Sequence, residues 1–486
     1  MLKDLKRLTK ETFIYGFSTI GGRLLNFLLL PIYTHALTPA DYGVVATMFS
    51  YLAFSNVIYG YGMDFAFMRF TKAKDPDDPC FSTAFYSHLL TSVLLSSLIY
   101  CFAAKLTVWG GMPAHLSVIT RYAAVVLAFD TLCLVPFADL RLSHKPKSYA
   151  GIKILNVVLN LALNYVFLVR MGWGVQGVFL ASAVTSTATF VMVSPWLLRR
   201  LRLVYERRLL PQLLRFSLPL IPAGLAAMAV QVIDRPILQF LTDSATVGLY
   251  QANYRLGSVM MLGVSMFDAA WRPFFLEKAE EEKSKALFAR VMTYFVIVAS
   301  FLWLALTFFT GPIVSHPIYH GKALIHSTYW VGLPLVPVIA LGYIFNGIYI
   351  NLLAPVTLAR KTDRVAYATA VGAAVNIAAI FAWTPRWGMF GTAWATLAAY
   401  VAMAAALYAM ARKIYPIDYE LGRIARVGGA LAAIVIAAKF LKVGVVAGPL
   451  WAKFGLIAAF PVLLVLTGFL SEDEKAGLAR HFRATA

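Results

Sequence analysis

The sequence predicts an all-α polytopic membrane protein with about fourteen transmembrane helices. Hydrophobic residues make up 60% of the 486 residues and charged residues only 14%, which leaves too little polar surface for a water-soluble fold of this length. Apolar stretches of about twenty residues recur almost from end to end, and a helix of that length crosses about 30 Å of hydrocarbon. The alternation of apolar and polar residues that marks the strands of a membrane barrel is missing.

The apolar stretches follow one another with short polar segments between them. Each is predicted as one helix, because hydrocarbon requires every backbone group to be hydrogen-bonded within the segment. In order, the predicted spans cover residues 12–34, 41–63, 81–104, 116–139, 147–169, 175–197, 212–240, 245–271, 287–313, 329–355, 364–384, 388–410, 422–441 and 448–470.

The distribution of basic residues predicts the orientation of these spans. Lys and Arg are retained on the cytoplasmic side, and with the amino terminus inside, about 32 of them face the cytoplasm and about seven face outward. An even number of spans with both termini cytoplasmic is therefore predicted. The same basic segments are expected to contact anionic lipid, so the net charge of +20 does not require a nucleic acid partner.

Two pairs of similar motifs predict a duplication of six helices. LTPADYGVV at 37–45 is similar to LTDSATVGLY at 241–250, and WGVQG at 173–177 is similar to WGMFG at 387–391. A span with intramembrane Asn precedes each of the second pair. Six is an even number, so both copies enter the membrane from the same side. The predicted organisation is an amino-terminal lobe at 1–198, a basic amphipathic linker at 199–211, a second lobe at 212–412, and two additional helices with a cytoplasmic tail at 413–486.

Charged side chains at bilayer depth are the candidate functional residues. Such charges are costly and usually face a partner or a water-filled cavity. The set is net positive by two, which suits an anionic ligand, and guanidinium donates two hydrogen bonds at once to phosphate. Its members are Arg23, Arg121, Asp130, Asp234, Arg235 and Arg255.

Other classes of site lack their motifs. No GxxxxGK[ST] occurs in the sequence, which argues against ATP hydrolysis. The three cysteines have no metal-site or disulfide spacing, so neither a metal site nor a disulfide framework is predicted. No catalytic residue is predicted either.

The segments GRLLNFLLLPIYTHALTPADYGVVATMFSYL and IDRPILQFLTDSATVGLYQANYRLG resemble the polysaccharide flippases of the multidrug/oligosaccharidyl-lipid/polysaccharide exporter superfamily. The resemblance covers essentially the whole chain. It implies two six-helix lobes and movement of undecaprenyl-diphosphate-linked oligosaccharide from the cytoplasmic to the outer leaflet by alternating access. It also implies a bacterial cytoplasmic (inner) membrane as the location and other membrane proteins of glycan assembly as partners.

Within that resemblance, Arg23 and Arg255 are expected to hold the diphosphate, with Arg235 and Arg121 as further substrate-binding residues. Related lipid II flippases have a sodium site between the seventh and eleventh helices. Asp234 and Asn376 lie on those helices here, and Asp130 is a third candidate for coupling to Na+ or H+. No other cofactor is expected. Two alternatives stay open: a drug or cation antiporter of the multidrug branch, and a membrane-embedded glycan polymerase or ligase.

Overall fold

A computed structural model describes residues 27–71, 78–279, 284–319 and 321–469. These residues are almost entirely helical, as predicted. The helices are α1 Leu29–Ala36, α2 Pro39–Gly60, α3 Met63–Phe70, α4 Cys80–Cys101, α5 Ala103–Trp109, α6 Ser117–Leu142, α7 Pro146–Asn164, α8 Gly174–Arg200, α9 Leu210–Ser217, α10 Leu220–Val232, α11 Asp234–Leu241, α12 Ser244–Gly257, α13 Val259–Glu277, α14 Ser284–Ser315, α15 Leu335–Asn351, α16 Leu353–Leu358, α17 Asp363–Trp387, α18 Met389–Ile414, α19 Leu421–Phe440 and α20 Leu450–Leu466.

Short elements complete the described chain. Two 3-10 turns occupy Ala114–Leu116 and Ser327–Gly332, and a π-helical turn, Tyr165–Arg170, continues α7. The strands β1 Pro317–Tyr319 and β2 Lys322–Ala323 pair in antiparallel orientation.

Twelve helical segments in the described residues are long and apolar enough to cross a membrane, and Leu450–Leu466 is a shorter apolar helix. The chain is therefore a multi-pass, all-α membrane protein. Most of the first predicted span falls on residues 1–26, outside the described part of the chain.

The helices pack into two compact units. One comprises the described residues up to Arg255 together with Gly372–Ala395, and the other comprises Leu256–Val371 and the described residues from Thr396. These units are defined by packing. The predicted lobes, with boundaries near residues 198, 211 and 412, describe a repeat in the sequence and stay a prediction.

Each unit has its own apolar core. In the first unit, Phe67 and Phe81 meet edge to face at 5.8 Å within a cluster that includes Leu213. In the second unit, Trp271 packs edge to face against Phe288 at 5.4 Å. Aromatic pairs of this geometry add about 0.5–1.5 kcal/mol beyond the burial of their area.

Several predicted spans are interrupted rather than continuous. The second span breaks at Tyr61 and Gly62, which have φ of 30° and 68°. The break is tied to α4, because the Tyr61 hydroxyl lies 2.8 Å from the Ser87 hydroxyl and His88 Nε2 lies 3.3 Å from the Gly60 carbonyl oxygen. The sequence analysis did not predict this break, since Tyr is rarely found in the left-handed region.

The seventh predicted span breaks before Asp234, where α10 ends and α11 begins. Pro236 has no N–H for the carbonyl of Val232, and its ring would clash with that carbonyl. The side-chain amide of Asn376 crosses to this break and donates to the carbonyl oxygens of Ala229 at 3.2 Å and Val230 at 3.5 Å. Asn376 therefore supplies a hydrogen-bond donor to backbone carbonyl groups next to the break.

The two similar turns both begin helices with side-chain caps. Thr38 accepts a hydrogen bond from the Asp41 N–H at 3.2 Å, and Asp41 reaches back to Thr38 in a capping box. In the second turn, Asp243 accepts from the Thr246 N–H at 2.9 Å. Each of the two motifs thus supplies the N-terminal cap of a helix, α2 in the first case and α12 in the second.

Candidate functional site

A cavity of about 690 Å³ lies within the first unit. It is lined by residues of α1, α2, α6, α7, α8, α10, α11 and α12, all within this one unit. The lining residues include Tyr33, Tyr42, Ser50, Asn56, Asp130, Thr131, Cys133, Phe137, Lys153, Asn156, Asn160, Ser182, Thr185, Ser186, Thr189, Arg235, Gln251 and Arg255.

Arg255 lies three turns into α12 and lines the cavity. Its guanidinium carbon is 6.0 Å from the ring centre of Tyr33, a distance at the outer limit of a cation–π contact. Tyr33 and Tyr42 meet edge to face at 5.6 Å, and both are buried. This aromatic pair lies beside the guanidinium, and Arg255 as a whole residue is half-buried.

Arg235 lines the same cavity but is held on several sides. Its guanidinium donates to the Asp234 carboxylate at 2.7 Å, to the Gln231 carbonyl oxygen at 2.6 Å and, through Nε, to Gln251 at 2.9 Å. The ring of Tyr254 lies 4.0 Å from the guanidinium carbon. These contacts fix the side chain and offset part of its charge.

Asp234 lies behind the cavity wall rather than on it. One carboxylate oxygen accepts from Arg235, and the other accepts from the Tyr250 hydroxyl at 2.6 Å. Asp234 is 1% exposed and Tyr250 is fully buried. A buried ion pair loses much of its Coulomb energy to desolvation, and the Tyr250 hydroxyl satisfies an oxygen that would otherwise be costly to bury.

Lys153 and Asp130 add a second pair of opposite charges. Lys153 is the second-turn lysine of α7, and its amine lies 4.4 Å from the ring centre of Phe137. The charges of Lys153 and Asp130 interact across this part of the cavity. The lining thus carries three cations, Lys153, Arg235 and Arg255, and one anion, Asp130, so it is net positive even after Asp234 is included.

Three asparagines follow one face of α7. Asn156 donates to Thr189 of α8 at 2.7 Å. Asn164 accepts from the Tyr33 hydroxyl at 3.0 Å and donates to Asn160 Oδ1 at 3.0 Å. The spacing of four residues places these amides one above another, so they connect the α1 end of the cavity to its α8 wall.

The structure brings together Arg235, Arg255 and Asp130 of the predicted site residues. Arg121 lies elsewhere: it is exposed near the start of α6, with its guanidinium carbon 5.3 Å from the ring centre of Tyr100, and it does not line the cavity. Arg23 falls outside the described residues. The substrate-binding roles of all four arginines stay predictions.

Each candidate cation-coupling residue has contacts of its own. Asp234 is bound by Arg235 and Tyr250, Asn376 bonds to the backbone of α10, and Asp130 lines a different wall. No cluster of three or more His, Cys, Asp or Glu side chains suited to a metal occurs within the described ranges. Coupling to Na+ or H+ through Asp234, Asn376 and Asp130 stays a prediction.

Sequence reasoning missed Lys153 as a cavity residue, because it was counted among the basic residues of an inner segment. A signal was present. Lys153, Asn156 and Asn160 are spaced as i, i+3 and i+7, which places them on one helix face. Gln251, which accepts a hydrogen bond from Arg235, has no feature in the sequence that would predict a place in the site.

The starts of α2 and α12 are in close contact at two glycines. A Cβ added to Gly43 would overlap the Ser244 carbonyl oxygen and lie 2.7 Å from its carbonyl carbon, and a Cβ on Gly248 would overlap the Pro39 carbonyl oxygen and lie 2.8 Å from its carbonyl carbon. Gly43 and Gly248 occupy matching places in the two similar turns. The helix starts therefore touch backbone to backbone at the turn-bearing end of the unit.

Comparisons with known proteins agree with this architecture. A sequence profile described as "Polysaccharide biosynthesis protein" matches residues 34–270, and no curated protein matches the chain. The solved structure of the lipid II flippase MurJ in an inward closed conformation aligns with a TM-score of 0.72 at 13% identity, over 93% of this chain and 97% of the flippase.

Multidrug transporters share the fold as well. An inward-facing MATE transporter of the MOP superfamily aligns with a TM-score of 0.60 at 15% identity, over 80% of this chain and 94% of the transporter. The Vibrio cholerae MATE transporter VcmN in its bent form gives 0.53 at 12% identity, over 84% and 96%. The profile match and the shared fold together confirm the predicted resemblance to the polysaccharide flippase-type exporters of the multidrug/oligosaccharidyl-lipid/polysaccharide superfamily.

Proposed function

We propose that this protein is a flippase that moves undecaprenyl-diphosphate-linked oligosaccharide from the cytoplasmic to the outer leaflet, for cell-surface polysaccharide biosynthesis. The single observation that carries the proposal is the net-positive cavity with Arg235 and Arg255 inside a membrane-spanning unit. Charge at this depth is costly unless it serves a ligand. A polysaccharide-biosynthesis profile over residues 34–270 and a fold shared with a lipid II flippase support the same substrate class.

The chemistry needed is recognition and release rather than bond breakage. Arg255 presents its guanidinium to the cavity, and a guanidinium donates paired, charge-assisted hydrogen bonds to phosphate oxygens without titrating. Arg235 is held by Asp234 and Gln251, so it acts as a fixed donor beside it. Transport then follows from a difference in substrate affinity between two states of the protein, with alternating access of the cavity to the two leaflets.

The proposed location is the bacterial inner membrane with both termini cytoplasmic. The segment between α8 and α9 supports this orientation. It is bound to the start of α4, where the Arg202 N–H donates to Ser82 at 2.9 Å and the Glu206 N–H donates to Thr83 at 3.1 Å. Leu203 is 98% exposed among exposed arginines, a combination suited to the surface of an anionic leaflet. Glycan-assembly proteins on the same face are proposed as further partners.

A drug or cation antiporter is the competing transporter, since two of the matched folds are multidrug transporters. A cationic drug would favour an acidic cavity, whereas Asp130 is the single acidic residue among the lining residues described. A glycan polymerase or ligase would need catalytic groups on a large external segment. The segment between α14 and α15 is short, and a small β-hairpin and a 3-10 turn occupy it.

The proposal is tested with Arg255→Ala, Arg255→Lys and the matched control Arg121→Ala in a strain that lacks the chromosomal copy. Arg255→Ala is expected to abolish surface glycan with normal amounts of membrane-inserted protein, and Arg255→Lys to retain part of the activity because it keeps charge but not the planar fork. Arg121→Ala should retain wild-type glycan display if substrate is bound only in the cavity, because Arg121 is exposed away from the cavity; loss of display would instead support its predicted substrate-binding role. Full glycan display by Arg255→Ala would overturn the diphosphate role.

Orientation has its own test. Lys322 is exposed in the β-hairpin, and Cys101 is the exposed cysteine among Cys80, Cys101 and Cys133. Lys322→Cys in a Cys101→Ser background should react with a membrane-impermeant maleimide added to intact spheroplasts. Reaction only after lysis would reverse the proposed topology.

A further inference from the structure

One wall of the cavity is formed by two polar helix faces. Ser182, Thr185, Ser186 and Thr189 of α8 line it, together with Lys153, Asn156, Val157 and Asn160 of α7. Both sets have the spacing i, i+3, i+4 and i+7, which places each on one face of its helix. The wall thus extends over two turns of each helix and is not the exposure of a single hydroxyl.

The hydrogen-bond donors of this wall are largely in use. Ser182 donates to the Val178 carbonyl oxygen at 3.1 Å, and Thr185 donates to the Ala181 carbonyl oxygen at 2.7 Å. Thr189 donates to the Thr185 carbonyl oxygen at 2.8 Å and accepts from Asn156. A hydroxyl that donates its proton to the helix still offers oxygen lone pairs. The α8 face therefore presents hydroxyl acceptors to the cavity, whereas the side-chain amides of Asn156 and Asn160 on α7 can both donate and accept.

Asp130 strengthens this character from α6. An ionised carboxylate only accepts hydrogen bonds, and Asp130 lines the cavity beside Ser186. Lys153 is the one cation here. Its amine lies over the ring of Phe137 and its charge interacts with that of Asp130, so this end of the cavity is close to neutral. The guanidinium end, with Arg235 and Arg255, is in contrast rich in donors and positive.

The two ends suit different parts of one ligand. A diphosphate only accepts hydrogen bonds, so it fits the guanidinium end and would be repelled by the Asp130 carboxylate and the hydroxyl oxygens of α8. Sugar hydroxyl and acetamido N–H groups can donate hydrogen bonds to the acceptor atoms of such a wall. We propose, on the basis of the proposed function, that the α7 and α8 wall is the subsite for the sugar next to the diphosphate, and that it selects uncharged, hydroxyl-rich sugars over uronic acids.

The subsite is tested by native mass spectrometry of the full-length protein in lipid nanodiscs. The probes are undecaprenyl diphosphate, the same lipid carrying one N-acetylhexosamine, and the same lipid carrying one hexuronic acid. The main variant is Ser182→Ala with Thr185→Val. The matched control is Thr187→Val, because Thr187 lies on the same helix and also donates to its own backbone, to Ala183 at 2.8 Å, but does not line the cavity.

We expect the double variant to bind the N-acetylhexosamine lipid at least about tenfold more weakly, as the loss of two buried hydrogen bonds implies. Its binding of undecaprenyl diphosphate should stay within about twofold of wild type. Thr187→Val should match wild type on both lipids, and Thr185→Ser, which keeps the hydroxyl, should retain sugar-lipid binding. Wild type should bind the uronic acid lipid about tenfold more weakly than the neutral one.

Each other outcome has a distinct meaning. Equal losses on undecaprenyl diphosphate and on the sugar lipid, the same loss in Thr187→Val, or equal wild-type affinity for neutral and acidic sugars would overturn the sugar subsite while leaving the flippase proposal intact. Failure of wild type to bind any of the three lipids would instead refute the proposed function, and the sugar subsite with it.

Discussion

Replacing Gly43 by alanine should force apart the helix starts that close one end of the cavity-bearing unit. The added Cβ would lie 2.7 Å from the Ser244 carbonyl carbon and would overlap its oxygen, whereas carbon atoms in contact prefer about 3.5 Å. The two backbones must therefore separate by roughly 0.8 Å or more. Overpacking of this kind costs about 1–3 kcal/mol, which would lower the population of the closed arrangement by about 5-fold to 150-fold.

Cys133 provides a reporter for this separation, because its thiol lines the cavity and is 3% exposed. In a Cys101→Ser background, we expect an impermeant maleimide added from outside the cell to label Gly43→Ala protein faster than the parent. Gly248→Ala should do the same, since its Cβ would overlap the Pro39 carbonyl oxygen. The parent and both variants should show equal membrane insertion.

Gly151→Ala is the matched control, because an added Cβ there meets nothing within 4 Å. It should label at the parental rate. Parental labelling in both Gly43→Ala and Gly248→Ala, with unchanged thermal stability, would refute the inference that these backbones are in contact in the folded protein.

Three further predictions concern the charged and polar groups of the first unit. Asp234→Ala should lower the free energy of unfolding by about 3–5 kcal/mol, because it leaves the buried Arg235 without its carboxylate. Chemical denaturation of the detergent-solubilised protein measures this loss. A loss below about 1 kcal/mol would contradict the ion pair. Asn376→Leu should lower the free energy of unfolding by about 1–3 kcal/mol in the same assay, since buried carbonyls at the helix break lose their donor. An unchanged denaturation midpoint would show that the amide does not support the break. Thr38→Ala should cost about 1 kcal/mol through loss of a helix cap, with Thr38→Ser restoring most of it; equal stability of the two variants would argue against the cap.

The helical architecture could be predicted because hydrocarbon permits few alternatives. Long apolar stretches must satisfy their own backbone, so hydropathy alone located the helices. The repeated turns could be recognised too, since Thr38 and Asp243 are typical cap residues placed before apolar runs. Pro236 is a typical cause of a local break in a span, and the structure has such a break immediately before Asp234.

Pairing of side chains could not be predicted from local sequence. Adjacent Asp234 and Arg235 gave no sign that Tyr250 and Gln251, each sixteen residues further along on another helix, would complete their hydrogen bonds. Arg121, near the outer end of its predicted span, gave no sign that it would be exposed away from the cavity. Tertiary packing decides such contacts, and composition carries no information about it.

The hydroxyls of α8 have one consequence for the energetics of a carrier. Because Thr185 and Thr189 are already held by their own helix, a ligand that bonds to them need not restrict their rotation, and little side-chain conformational entropy is lost on association. For the proposed glycan ligand, the cost of ordering then falls almost wholly on the glycan itself. Long or flexible glycans would therefore be held more loosely than short rigid ones, which favours rapid unloading at the far leaflet.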